Sequence, residues 1–184
     1  MQSVELVLDD DSDRRVRRHW AKLADAGVPS QARHTGPANR PHITLAVTSD
    51  MSRSVQANIE VVLGRLPLPL TLGGLVVFGS GRLVLARLVV PSVGLLALRA
   101  DVMAALEDDI DAHRHFAAGH WTPHVTLGRG LTAADVCAAL TAAPEGAEIR
   151  GSAVRARRWD MMARVEHWFP VTGSDTQARR PPGW

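Results

Sequence analysis

Pro41-His42-Ile43-Thr44-Leu45 returns 82 positions later as Pro123-His124-Val125-Thr126-Leu127, with one conservative exchange. Each stretch alternates polar with apolar residues and is rich in β-branched side chains, the pattern of a strand with one face in a core. Side chains two apart leave a strand on the same face. Each copy therefore presents an imidazole and a hydroxyl together and sends Ile43 and Leu45, or Val125 and Leu127, to the other side. Two such strands facing one another would gather two imidazoles and two hydroxyls around one pocket. One imidazole can then take a proton from an attacking oxygen and the other can protonate a leaving oxygen. The hydroxyls can donate to the non-bridging oxygens of a phosphate as charge builds. A single copy would mean little, since threonine is a common strand former and a lone strand histidine is more often structural. The repetition carries the reading.

Outward from the first copy, Val4 to Leu8 reads as a strand, and Asp9-Asp10-Asp11-Ser12-Asp13 opens a helix with its acids at the positive end of the dipole. Val16, Trp20 and Leu23 share one face of that helix, and Gly27 and Pro29 stop it. A turn-rich loop, His34 to Asn39, leads to the strand Pro41 to Thr48. Ser49 or Asp50 is placed to cap a second helix with Met51, Val55, Ile59 and Val62 inward and Gly64 at its end. Strands Leu68 to Phe78 and Leu83 to Val90 follow, joined through Gly79-Ser80-Gly81. The order then begins again. Ser92 caps a helix carrying Leu95, Leu98, Val102, Leu106 and Ile110, and a His-rich loop leads to the strand Pro123 to Gly128. Thr132 opens a short helix with Val136, Cys137 and Leu140 inward, and Ala147 to Trp159 and Arg164 to Val171 close as a strand pair.

A shift of 82 positions lays each element approximately on its counterpart. The expectation is an α+β fold: one bilobal domain over residues 1–171 made of two internal repeats, with largely antiparallel sheets and helices packed outside. A pseudo-two-fold axis and a cleft between the lobes come with it. Residues 172–184, with Arg179-Arg180-Pro181-Pro182, read as a disordered tail.

Composition narrows the classes. The chain has 184 residues, 46% of them hydrophobic, and a formal net charge of +2. That length suffices for a sizeable core, and no apolar run reaches the roughly 18 residues of a membrane helix. The amino terminus has neither the basic nor the apolar region of a secretory signal, so a cytoplasmic protein is expected, and a monomer. Cys137 is the single cysteine, which leaves no internal disulfide. Arginine supplies 20 of the 21 basic side chains, Lys22 being the exception. This suits phosphate binding and is also what a GC-rich genome produces. Gly79-Ser80-Gly81 lacks the helix and lysine of a triphosphate-binding loop, so ATP-dependent chemistry is not indicated.

At the repeated motif the sequence resembles the two-histidine phosphoesterase superfamily, whose members carry two His-x-Thr/Ser-x motifs in a duplicated fold. It includes 2'-5' RNA ligase-like proteins, RNA 2',3'-cyclic phosphodiesterases and enzymes acting on ADP-ribose cyclic phosphate. The resemblance implies a phosphodiesterase without metal or other cofactor that opens 2',3'-cyclic phosphate ends of RNA or small nucleotides. Weak reverse ligation to a 5' hydroxyl would use the same groups. It implies His42 as proton donor, His124 as proton acceptor, and Thr44 and Thr126 as phosphate ligands. The near symmetry of the motifs does not by itself separate the two histidine roles. Arg129 stands five residues past the second histidine, where family members often have arginine, and Val47 holds the matching place in the first motif. Arg40, just before the first motif, is a further candidate phosphate contact.

Two rival readings stay open at this point. One is a nucleotide- or RNA-binding module that keeps the cleft without turnover. The other is a metallohydrolase using His113, His115 and His120 with His124, although these spacings do not match familiar zinc motifs. His19 and His34 read as surface or loop residues, Cys137 as packing, and Trp159 and Trp168 as core in preference to base-stacking surfaces.

Overall fold

The computed structural model describes residues 1–106, 119–142 and 148–170. Ile110, His113, His115 and the tail 172–184 lie outside the described residues, as do parts of the loop 112–122. Among the described residues there are seven strands: β1 (Gln2–Leu8), β2 (His42–Thr48), β3 (Leu68–Phe78), β4 (Leu83–Val89), β5 (His124–Leu131), β6 (Ile149–Asp160) and β7 (Val165–Trp168). Four α-helices accompany them: α1 (Asp10–Asp25), α2 (Arg53–Leu63), α3 (Val93–Leu106) and α4 (Ala133–Ala142). All pairings are antiparallel, so the fold is α+β, as the pattern of elements predicts.

The hydrogen-bonded order is β2-β1-β6-β3-β4-β5, with β7 also on β6. Exchanging each of these six strands for its counterpart in the other half (β1 for β4, β2 for β5, β3 for β6) gives the same order read backwards. The halves of the sequence are interleaved, however. β6 from the second half pairs with β1 from the first, and β3 from the first half pairs with β4 from the second. The sheet is joined at its middle by a short ladder, Leu68–Leu72 against Ile149–Ala153. Beyond that ladder β6 runs on along β1 through Asp160, and β3 runs on along β4 through Phe78. Two wings result, β2-β1-β6-β7 and β5-β4-β3, and their outer strands β2 and β5 come back against each other.

The helices follow local rules. Asp9 caps α1 by accepting from the Ser12 amide at 2.9 Å, and three acids occupy the first turn. Gly27, with φ of +75°, ends it in the left-handed conformation that glycine tolerates best. Ser52 caps α2, accepting from the Val55 amide, in place of the expected Ser49 or Asp50; the Thr48 hydroxyl instead donates to the Asp50 carbonyl and holds the preceding turn. α1 packs against β5 and α3 against β2, so each motif strand is backed by a helix from the other half. One continuous apolar core includes Val16, Trp20 and Leu23 of α1 and Leu95, Leu98 and Val102 of α3.

Three further expectations are corrected. α4 turns Ala139 inward, with Val136 half-buried, while Cys137 and Leu140 face solvent. Trp159 and Trp168 are half-buried outside the core. His19 is buried, because it follows Val16 by three positions and precedes Leu23 by four on the same helical face. Burial, with help from the nearby Arg87 and Lys22 charges, pulls the His19 titration down to about 4 from an ordinary 6.5. Its Nε2 has no hydrogen-bond partner among the described residues.

That burial has a stability consequence. In the unfolded chain His19 takes up a proton near pH 6.5, whereas the folded site resists until about 4. The unfolded state thus binds more protons across this window, and stability falls as pH is lowered through it. Denaturant titrations should show a loss of about 2 to 3 kcal/mol from this residue. His19→Leu should flatten that part of the pH dependence, and an unchanged slope would refute the assignment.

Candidate active site

Because β2 and β5 obey the period of two, Ile43, Leu45, Val125 and Leu127 are fully buried. His42 and Thr44 on one strand, and His124 and Thr126 on the other, project from the opposite face. The two imidazoles are fixed in the same way. Nδ1 of His42 lies 2.8 Å from the Arg40 carbonyl, and Nδ1 of His124 lies 2.7 Å from the Thr122 carbonyl. A carbonyl only accepts, so Nδ1 carries the hydrogen in both rings and Nε2 is the nitrogen left for chemistry.

The wings are also tied to each other through the open edges of the motif strands. The Trp121 indole N–H donates to the Thr44 carbonyl, and the Trp20 indole N–H donates to the Thr126 carbonyl, both at 3.0 Å. Each motif threonine therefore has its backbone held by a tryptophan from elsewhere in the chain while its hydroxyl side faces the cleft. Gly128 permits a second close approach on β5. A Cβ there would collide with the Pro29 carbonyl, at the root of the loop that carries the cleft's other wall.

The cleft has a volume of about 660 Å³ and is lined by His42, Thr44, Thr126, Arg40, Arg129 and Trp159 among others. The electrostatic settings of the two histidines differ. His124 packs on the Phe78 ring with centroids 4.7 Å apart. Burial pulls its titration below the ordinary range; the hydrogen bond to the Thr122 carbonyl opposes this, and Arg129 and His42 add to the lowering. His42 instead has a carboxylate beside it, with Glu5 Oε1 3.7 Å from Nε2. Glu5 is itself buried against Arg157.

The remaining sequence candidates divide. Arg129 reaches the site and donates to Thr126 Oγ1 at 3.3 Å. Arg40 lines the cleft, but its guanidinium is drawn to Glu166 Oε1 at 3.2 Å and lies over the Trp168 ring at 4.9 Å. Trp159 lines the cleft and Trp168 serves as a platform for Arg40 and Arg155. His120 is exposed, and no group of three or more His, Cys, Asp or Glu is placed to hold a metal ion among the described residues. Sequence reasoning passed over Glu5 and Glu166. Glu5 had a usable signal: it is the sole charged residue in Val4 to Leu8, a segment otherwise apolar on both faces.

An antiparallel α+β frame that sets two strand-borne His-x-Thr motifs against each other defines the two-histidine phosphoesterase class. The comparisons agree. A family model described as the 2'-5' RNA ligase superfamily matches residues 9–167, and the chain belongs to that superfamily. Among solved structures, TT0787 of Thermus thermophilus is similar with a TM-score of 0.57 at 16% identity, covering 92% of this chain and 94% of that one. Usb1 of Kluyveromyces marxianus has a TM-score of 0.53 at 13% identity, covering 92% and 97%. E. coli LigT complexed with 3'-AMP has a TM-score of 0.50 at 17% identity, covering 93% and 94%. No curated protein matches the chain by sequence.

If the two indoles hold the motif strands in place, Trp20→Phe and Trp121→Phe should each lose about 1 kcal/mol of stability, or about 2 to 4 °C in Tm. Thermal melts check this. A melt unchanged in both variants would mean that the carbonyls are held by other groups.

Proposed function

We propose that the chain is a metal-independent phosphodiesterase that opens 2',3'-cyclic phosphate ends of RNA or small nucleotides. The observation that carries this reading is the paired anchoring of His42 and His124, each with Nδ1–H on its own strand's carbonyl and Nε2 left for proton transfer. Among similar folds, LigT is seen with 3'-AMP and Usb1 with uridine monophosphate, which supports a nucleotide-sized ligand for this cleft.

In the proposed reaction, water attacks the cyclic phosphorus and His124 Nε2 takes its proton. His42 Nε2 donates a proton to the departing ribose oxygen as its bond to phosphorus breaks. The Thr44 and Thr126 hydroxyls and Arg129 donate to the non-bridging oxygens, where charge accumulates. The downward shift of His124 fits the acceptor, which must enter the reaction neutral. A 5' hydroxyl in place of water, losing its proton to His124 while the 3' oxygen departs with a proton from His42, would give weak 2'-5' ligation. Arg40 is a phosphate contact in this scheme once a ligand anion competes with Glu166 for it.

The test is turnover of 2',3'-cyclic nucleotides and cyclic-phosphate-ended RNA by the purified protein. His42→Ala and His124→Ala should each cost roughly a hundred- to ten-thousandfold. Thr44→Ala and Thr126→Ala should cost roughly ten- to a thousandfold. Activity should survive exhaustive chelation. Tight nucleotide binding with no turnover, or chelator inhibition reversed by zinc, would overturn the reading.

The pH dependence follows from the same environment. The acceptor fails when it becomes protonated, and burial lowers the pH at which His124 does so. The acid limb of kcat/KM should therefore lie below the 6.5 of an ordinary histidine. An acid limb above 6.5 would contradict the assignment of His124 as acceptor.

A further inference from the structure

The motif strands sit in equivalent registers, but the rows that flank them differ. Across β2 and β1, His42 stands opposite Val7 and Thr44 opposite Glu5. Across β5 and β4, His124 stands opposite Leu88 and Thr126 opposite Ala86. One strand further in, Glu5 is paired with Arg157 on β6, and Ala86 with Val76 on β3. One row thus reads Thr44, Glu5, Arg157, and its counterpart reads Thr126, Ala86, Val76.

The charged row is buried and fully engaged. Glu5 Oε2 accepts from Arg157 Nε at 2.9 Å and lies 2.8 Å from its Nη2, while Oε1 accepts the Ser3 hydroxyl at 2.7 Å and faces His42 Nε2. Arg157 Nη1 donates to the Ala38 carbonyl and to Glu166 Oε2, both at 2.8 Å. Taking such a pair out of water is expensive, and well-packed apolar residues often serve stability as well or better. The Ala86–Val76 row shows that the same place in the sheet can be built without charge. The sheet as such therefore does not require charge at this place, and the charge that is there puts a carboxylate beside His42.

We infer that Glu5 is the positioning residue for the proton donor: its carboxylate, 3.7 Å from His42 Nε2, sets a negative charge beside the ring that must carry a positive one, and Arg157 fixes that carboxylate in place. The inference rests on the phosphodiesterase reading and deepens it by breaking the symmetry of the two motifs. The charged and titratable groups around His42 are Glu5 from β1, Arg157 behind it on β6, Arg129 and His124 from β5, and Arg40 at the start of its own strand, paired with Glu166. The carboxylate in contact with the ring is that of Glu5. On the other wing Ala86 offers His124 no charge, and Arg129 sets a cation near it. The proton leaves His42 Nε2 for the departing oxygen and is replaced from water after product release, so no further reactant is required.

The test uses the full chain with Glu5→Gln. A second variant, Glu5→Ala with Arg157→Val, copies the apolar row and guards against a misfolded single variant. Each is assayed across pH on a 2',3'-cyclic nucleotide and on an aryl phosphodiester whose nitrophenolate departs without protonation. On the cyclic nucleotide Glu5→Gln should lose about 10- to 100-fold in kcat with little change in KM. On the aryl ester the loss should be about threefold or less, since the donor contributes little to a good leaving group. The double variant should show the same selectivity between substrates. Equal losses on both substrates, or no loss at all, would overturn the role of Glu5 alone. Full turnover of the cyclic nucleotide by His42→Ala would overturn the parent reading and this inference with it.

Discussion

The site depends on a five-residue ladder, Leu68–Leu72 against Ile149–Ala153, at the middle of the sheet. Each of the two strands in it leaves the ladder to continue along a different neighbour, so the natural twist of the sheet is divided between two wings. That division lets the outermost strands of a single hydrogen-bonded order approach each other. A flat sheet of six strands would carry His42 and His124 to its opposite edges, about five inter-strand spacings apart. Here the same connectivity brings the two strands that carry them back against each other, and the helices reinforce the closure by packing across the halves.

The faces of the motif strands were legible because they are local. A period of two decides where Ile43 and Val125 go, and therefore where the histidines and threonines go. The interleaving was not legible, because it concerns which strand lies beside which, and a repeat in sequence says only that like elements exist. Glu5 and Arg157 are 152 positions apart, and no local pattern couples them. Arg157 was further obscured by standing among Arg155 and Arg158. His19 is a different case: its helical spacing from Val16 and Leu23 marked it as inward, and its polarity hid that. α4 has only ten residues and is rich in alanine, so its inward face was weakly defined and Cys137 fell on the wrong side.

The two imidazoles are held alike in unlike surroundings. Backbone carbonyls fix both rings identically, and backbone geometry is what the repetition preserves. The difference comes from side chains one and two strands away, a buried acid and its arginine on one wing and small apolar residues on the other. Proton donor and acceptor need opposite starting states, so a perfectly symmetric site would serve neither role well.

The indole contacts have a consequence outside catalysis. β2 and β5 are the terminal strands of the order, and terminal strands offer unpaired backbone groups to any passing chain. Trp121 and Trp20 occupy a carbonyl on each of those edges, at Thr44 and Thr126. The contacts that bring the wings together are thus the ones that guard the sheet against adding a foreign strand. Prying the wings apart to seat a bulkier ligand would uncover both edges at once, coupling the width of the cleft to the protein's resistance to aggregation.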